Sequence, residues 1–109
     1  MADHLLVAIS NAQPGRDDEY GTWYETIHLP EVLALPGFVS AQRFAPAQLS
    51  SDAPNRYMAV YEIEGDPDAA MGGLMSAVRG GKLNMTDAID GKTVTMVVYK
   101  ATTPKITAR

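Results

Sequence analysis

The sequence contains no cysteine and only two histidines, which narrows the chemistry available to it. Without cysteine it can form no disulfide, thiolate-bound zinc site, iron–sulfur cluster or thiol nucleophile, and this absence fits a reducing, cytoplasmic setting. His4 and His28 lie too far apart in the chain for an HxH or HxxxH motif. No dedicated metal centre is therefore expected.

Long apolar runs and clustered positive charge are also missing. No apolar run approaches the roughly 20 residues that a membrane-spanning helix requires. The opening MADHLLVAIS has neither a basic flank nor a cleavage signal, and we interpret it as a strand. The 9 basic residues are scattered and are outnumbered by 13 acidic ones, which disfavours binding to nucleic acid. We expect a soluble protein that binds neither membranes nor nucleic acid.

Several catalytic and cofactor motifs are absent as well. No glycine pattern matches a phosphate-binding or dinucleotide-binding loop, and no serine lies in a G-x-S-x-G turn. No cofactor is therefore expected. The 109 residues, of which 46% are hydrophobic, are enough for a single domain with a small core, covering residues 1–109.

Hydrophobic periodicity and turn residues predict six elements in the order βαββαβ. The predicted strands cover residues 4–10, 38–45, 56–64 and 93–101, and the predicted helices cover residues 16–29 and 67–78. Pro30 lacks an amide hydrogen, so the first helix should bend or end at Leu29, before a short turn over residues 31–35. The remaining segments are predicted as loops at residues 46–55 and 82–91 and a tail at residues 102–109.

The order βαββαβ is that of the ferredoxin-like α+β fold, in which two helices cover one face of a four-stranded antiparallel sheet. If Leu5, Val7 and Ile9 face the helices, Leu6 and Ala8 lie on the opposite face. That face would then expose a broad apolar surface, which soluble proteins seldom tolerate. Pairing of two such sheets into a homodimer is therefore expected.

Residues 23–44, WYETIHLPEVLALPGFVSAQRF, resemble the dimeric α+β barrel superfamily, in particular its EthD-like and related uncharacterised members. The likeness rests on a helix with Trp-Tyr, a following His-Leu-Pro and a Pro-Gly turn that leads into strand two. It implies a pocket between sheet and helices that a helix-borne histidine faces, and His28 fits that position. The superfamily includes cofactor-independent monooxygenases, polyketide cyclases, muconolactone isomerase and haem-degrading oxygenases, so the fold alone assigns no reaction.

Tyr24 and His28 are the candidate catalytic residues. They stand four apart and so share a face of the first helix. An imidazole can take or give a proton near neutral pH, while a neighbouring phenol can hold a substrate oxygen. In a purely structural alternative, His28 lies near a helix end and bonds free carbonyl groups there.

Other residues are candidates for substrate contacts. These are Trp23, Ile27, Tyr57, Tyr61 and Arg43. Trp23 could equally be a core residue, and the two tyrosines could instead lie at a dimer interface. Arg43 could anchor a carboxylate, or it could form an ion pair with a glutamate of the neighbouring strand.

These features predict a small cofactor-independent enzyme that acts on an aromatic or polyketide-like carbonyl compound by general acid–base catalysis, as a cyclase, isomerase or lyase. One alternative is a cofactor-free or haem-dependent monooxygenase. Another is a homodimer that binds a small hydrophobic or aromatic ligand without chemistry. Six methionines, which adapt to irregular apolar shapes, fit a pocket for a flat molecule or a plain core.

Overall fold

The computed structural model of the protein describes residues 2–47 and 57–109. Most of the predicted loop at residues 46–55 and the first residue of the predicted third strand lie outside the described residues. In chain order the elements are β1 (His4–Ala12), α1 (Asp17–Trp23), a π-helical segment (Tyr24–His28), α2 (Leu29–Leu33), β2 (Phe38–Phe44), β3 (Tyr57–Ile63), α3 (Pro67–Arg79) and β4 (Ile89–Lys100).

The four strands form one antiparallel sheet in the order β2-β3-β1-β4. β1 lies between β3 and β4 and pairs with both. Side chains from α1, α2 and α3 share one core with one face of this sheet. The ferredoxin-like α+β fold predicted from the sequence is therefore confirmed. Within residues 2–47 and 57–109, no helix combines the length and apolar character needed to cross a bilayer.

The face of β1 that meets the helices is opposite to the one assumed from the sequence. Leu6, Ala8 and Ser10 are buried under the helices, whereas Leu5 is 37% exposed on the other face. Both faces of this strand carry apolar side chains, so hydrophobicity alone does not choose between them. The small side chain of Ser10 leaves room for the ring of Tyr20, and the two hydroxyl oxygens lie 2.5 Å apart.

The first helix, predicted to bend or end at Leu29, does not end there, because the chain stays helical through Pro30. The π-helical segment explains the difference. The Leu29 N–H bonds the carbonyl of Tyr24, five residues back, so the turn before the proline is widened. Pro30 then lies in the first turn of α2, where a missing amide hydrogen costs little.

A register shift at the start of β2 changes which face of the sheet its first side chain occupies. Phe38 pairs with Ile63 and Ser40 with Glu62, so Val39 is an additional residue in the strand. This β-bulge turns Phe38 onto the helix-covered face, where it is buried. Simple alternation along a strand without a bulge would place Phe38 on the same face as Ser40.

The second predicted helix begins as expected. Asp66 caps α3 by accepting a hydrogen bond from the Asp68 N–H at 2.9 Å, and Pro67 occupies the first helical position. β4 begins earlier than residue 93, because Asp90 and Ile89 continue the ladder with β1 beyond a register shift. β4 is therefore long enough to form one wall of the space between sheet and helices.

Candidate active site

A cavity of about 300 Å³ lies between the helices and the covered face of the sheet. Its lining includes four rings with polar atoms, those of Trp23, Tyr24, His28 and Tyr61. The rest of the lining consists of aliphatic side chains, methionines and one glycine. An apolar cavity of about 150 Å³ can hold benzene, so this one has room for about two fused rings.

The π-helical segment places His28 against two aromatic rings. The imidazole lies nearly parallel to the Trp23 ring, with centroids 4.5 Å apart, and perpendicular to the Tyr24 ring, with centroids 5.2 Å apart. A π-turn aligns residues that are five apart, which is the spacing of Trp23 and His28. The stacking therefore follows from the widened turn, while Tyr24 and His28 remain neighbours as predicted.

Partial burial keeps His28 uncharged at neutral pH. Loss of solvent lowers the pKa of His28 below its ordinary value of 6.5, and the nearby Glu31 carboxylate opposes this change without cancelling it. The Nδ1 atom is buried and has no hydrogen-bond partner among the described residues. The ring is thus a free base at physiological pH, with no carboxylate holding its Nδ1 in place.

The pKa values of the two cavity tyrosines change in the opposite direction. Burial raises the pKa of Tyr24 to about 12, and it raises the pKa of Tyr61 still further. The Tyr61 hydroxyl makes no hydrogen bond of ordinary geometry among the described residues, although the nearby Tyr24 phenol contributes to its raised pKa. Both phenols therefore remain protonated at neutral pH and can donate a hydrogen bond.

The segment of residues 82–88 closes one side of the cavity. The Trp23 Nε1–H donates to the Asn84 carbonyl at 2.7 Å. The Glu31 carboxylate accepts from the Asn84 N–H at 2.9 Å and from its side-chain amide at 2.7 Å. Met85, the next residue, belongs to the cavity lining. The sequence analysis missed this role of Glu31 and Asn84, because nothing in the local pattern links residues so far apart.

Four of the predicted site residues line the cavity together: His28, Tyr24, Trp23 and Tyr61. Ile27 does not, since it is 37% exposed and borders a separate, shallow outer groove. Tyr57 also lies outside the lining, and its hydroxyl donates to the carboxylate of Asp17 on α1.

Arg43 is the remaining predicted contact, and it too lies outside the lining. Its guanidinium carbon is 5.5, 5.1 and 5.7 Å from the ring centroids of Tyr20, Tyr24 and Tyr57. Its Nη1 lies 3.6 Å from Glu25 Oε1, so the ion-pair partner is on the helix rather than on the neighbouring strand. The cation therefore packs against an aromatic cluster and not against the cavity.

Methionines contribute to the apolar wall, as the composition suggested. Met75 of α3, Met85 of the 82–88 segment and Met96 of β4 all line the cavity, whereas Met71 packs against the core. Their flexible side chains allow the wall to adjust to a ligand.

Among the described residues, no group of three histidine or acidic side chains is arranged to hold a metal ion.

Comparisons with known proteins point to one fold. No family model matches the sequence, and no curated protein matches it. An EthD family protein from Bacillus halodurans C-125 is 18% identical, with a TM-score of 0.65 over 90% of this chain and 97% of that chain. An EthD-like protein from Ralstonia eutropha JMP134 is 17% identical, with a TM-score of 0.57 over 96% of this chain and 97% of that one.

A third similar structure is described as a "putative monooxygenase" from Shewanella loihica PV-4. It is 13% identical, with a TM-score of 0.60 over 95% of this chain and 99% of that chain. Identities this low establish a shared fold but not a shared reaction. The chain therefore has the ferredoxin-like α+β fold of EthD family and EthD-like proteins, as the resemblance of residues 23–44 predicts.

Proposed function

We propose that this protein is a small cofactor-independent enzyme that binds an aromatic or polyketide-like carbonyl compound in the cavity and removes a proton from it. His28 is the general base, and Tyr24 or Tyr61 donates a hydrogen bond to the carbonyl oxygen. The observation that most supports this role is that one apolar cavity holds the imidazole of His28 beside the phenols of Tyr24 and Tyr61, and burial favours the neutral form of all three. A neutral base next to hydrogen-bond donors suits proton removal beside a carbonyl group.

The mechanism begins at the carbon next to the carbonyl group. Neutral His28 accepts its proton, and negative charge develops on the carbonyl oxygen, where a phenol hydrogen bond stabilises it. The apolar lining strengthens this interaction because few competing dipoles are present. The resulting enolate regains a proton at another carbon, attacks a second carbonyl group or expels a leaving group, which gives isomerase, cyclase or lyase chemistry.

A cofactor-free monooxygenase is a second candidate, because an enolate formed by the same proton removal can react with O₂. The monooxygenase description of the Shewanella protein supports this alternative. A haem macrocycle does not fit a cavity with room for about two fused rings, so we derive no step through iron. Consumption of O₂ in proportion to loss of the ketone would indicate the oxygenase reaction.

The proposal predicts that the protein accelerates hydrogen–deuterium exchange next to the carbonyl group of 2-tetralone, an uncharged ketone of two fused rings. The reaction is followed by NMR in D₂O against a buffer blank. Because the base form of His28 is required, the rate should fall as pH is lowered through the His28 pKa, which lies below 6.5, and should level off above it. Binding without exchange would indicate a non-catalytic binding protein and contradict the enzyme.

We also propose that two copies pair through the uncovered face of the sheet. On this face Leu5 lies opposite Tyr99, and Val7 lies opposite Val97. A continuous apolar surface of this kind is rarely left open to water, and a stable interface covers about 800 Å² on each partner. The sheet of a second copy is a matching surface.

Val97→Lys tests this pairing, because it places a charge beside the central strand of the face. Sedimentation analysis should give twice the mass of one chain for the wild type and a single-chain mass for Val97→Lys. Leu33→Lys, at an exposed position of α2, is the control and should stay dimeric. A wild-type protein that sediments as a single chain at micromolar concentration would contradict the proposal.

A further inference from the structure

We propose that the substrate of this cavity carries no carboxylate, phosphate or other anionic group, and that it is a neutral carbonyl compound of about two fused rings. The carbonyl group rests on the proposed function. The charge and the size rest on the lining of the cavity itself and do not depend on the reaction.

The lining offers no cation to an anionic ligand. Among residues 2–47 and 57–109, no lysine or arginine belongs to it. The ionisable groups of the described lining are His28, whose pKa is lowered by burial, and two tyrosines, which stay protonated well above physiological pH, so all three are neutral there. An anion that entered would lose its hydration without gaining an ion pair, whereas a neutral ketone needs only one hydrogen-bond donor.

Arg43 is a cation close to the cavity wall, but its guanidinium already interacts with other side chains of the protein. The rings of Tyr20, Tyr24 and Tyr57 surround its guanidinium, and Glu25 supplies a counter-charge. A Cβ at Gly21 would lie 3.3 Å from its Nη1, so the helix backbone is close to it as well. A carboxylate anchor at Arg43 would require this cluster to open.

Charges outside the cavity also disfavour anions. The outer groove next to the cavity shares Trp23 and Met85 with it and carries the carboxylate of Asp18, whereas that of Glu19 is ion-paired with Arg16. Arg79 and Lys92 follow lining residues in the sequence, but both are exposed and neither belongs to the lining. The formal net charge of the whole chain is −4. An anionic ligand would therefore meet the Asp18 carboxylate at this groove and no cation among the described residues of the lining.

A matched pair of probes tests the inference. 2-Tetralone and 1,2,3,4-tetrahydro-2-naphthoic acid share one ring system, and only the acid is charged at pH 7.5. Trp23 is the single tryptophan and borders both the cavity and the outer groove, so quenching of its fluorescence reports binding at one of the two. Quenching that changes in Met96→Lys, a position that lines only the cavity, assigns the ligand to the cavity. We expect the ketone to bind at least about 100-fold more tightly, because burying an unpaired carboxylate costs several kcal/mol. Equal or tighter binding of the acid would overturn the inference.

A charge introduced into the lining gives an independent check. Met96 lines the cavity and is 44% exposed, so a longer polar side chain is tolerated there. Met96→Lys should strengthen binding of the acid at least about 10-fold relative to Met96→Gln, which introduces a polar side chain without the charge, while ketone binding stays similar in both. An acid affinity that is the same in both variants would show that a missing cation is not what excludes anions.

The outcomes also separate this inference from the proposed function. Tight binding of the ketone without hydrogen–deuterium exchange contradicts the enzyme and leaves the neutral ligand class intact. Exchange together with equally tight binding of the acid contradicts the ligand class and leaves the enzyme intact. Failure of 2-tetralone to bind at all contradicts both.

Discussion

His28→Gln should slow hydrogen–deuterium exchange of 2-tetralone by about 10²- to 10⁴-fold, which is the usual contribution of a general base. Glutamine is similar in size to histidine but accepts no proton near neutral pH. The residual rate should also lose its dependence on pH below 6.5, because the titrating group is gone. Exchange rates from NMR at several pH values measure both effects.

The matched control is His4→Gln, the same substitution at the other histidine, which begins β1 outside the cavity lining. It should leave the rate within about two-fold of the wild type, since surface changes away from a site have small effects. Circular dichroism and thermal unfolding of both variants show whether the fold is kept. Equal rates in the wild type and in folded His28→Gln would contradict the role of His28.

Trp23→Ala should lower the free energy of unfolding by about 3–5 kcal/mol, the usual cost of removing a large buried aromatic side chain. Trp23 is 6% exposed. Its ring stacks on His28 and meets the edge of Tyr24, and its Nε1–H bonds the Asn84 carbonyl. Its loss removes support from both the imidazole and the segment of residues 82–88. Urea denaturation followed by circular dichroism measures the change.

Trp23→Phe separates the ring from its hydrogen bond. Phenylalanine keeps much of the apolar packing but has no donor for the Asn84 carbonyl, so the cost should be smaller, about 1–3 kcal/mol. The exchange rate should fall less than in His28→Gln, because the base is still present. Equal destabilisation by Trp23→Ala and Trp23→Phe would show that packing of this ring contributes little.

The order of elements was predictable because turn residues mark most boundaries. Pro14-Gly15, Pro36-Gly37 and Gly65-Asp66-Pro67 each stand between two periodic segments, and the structure places a turn or a cap there. Gly15, Gly37 and Gly65 adopt positive φ angles, a conformation that other residues rarely take. Local chemistry therefore determines the βαββαβ order without tertiary information.

The details that were wrong depend on contacts between distant residues. Both faces of β1 are apolar, so its orientation depends on contacts with the helices, such as that of Ser10 with Tyr20. A π-turn before Pro30 and a bulge at Val39 are changes of one residue in periodicity, which a short apolar pattern does not resolve.

The candidate site also has a part that was predictable from the sequence and a part that was not. The grouping of Trp23, Tyr24 and His28 was predictable because all three lie within two turns of one helix. Tyr61, for which the sequence left a substrate contact and a dimer interface as alternatives, belongs to the same cavity. The aromatic cluster around Arg43 and the Asn84 contacts were not predictable, since they join residues from separate elements.

A crystal structure of the protein soaked with 2-tetralone tests the central claim most directly. We predict that the ketone lies in the cavity, with the carbon next to the carbonyl group about 3–3.5 Å from an imidazole nitrogen of His28. The carbonyl oxygen should lie within hydrogen-bond distance of the Tyr24 or Tyr61 hydroxyl. A ketone bound elsewhere, or a His28 ring turned out to solvent beside a filled cavity, would contradict the account.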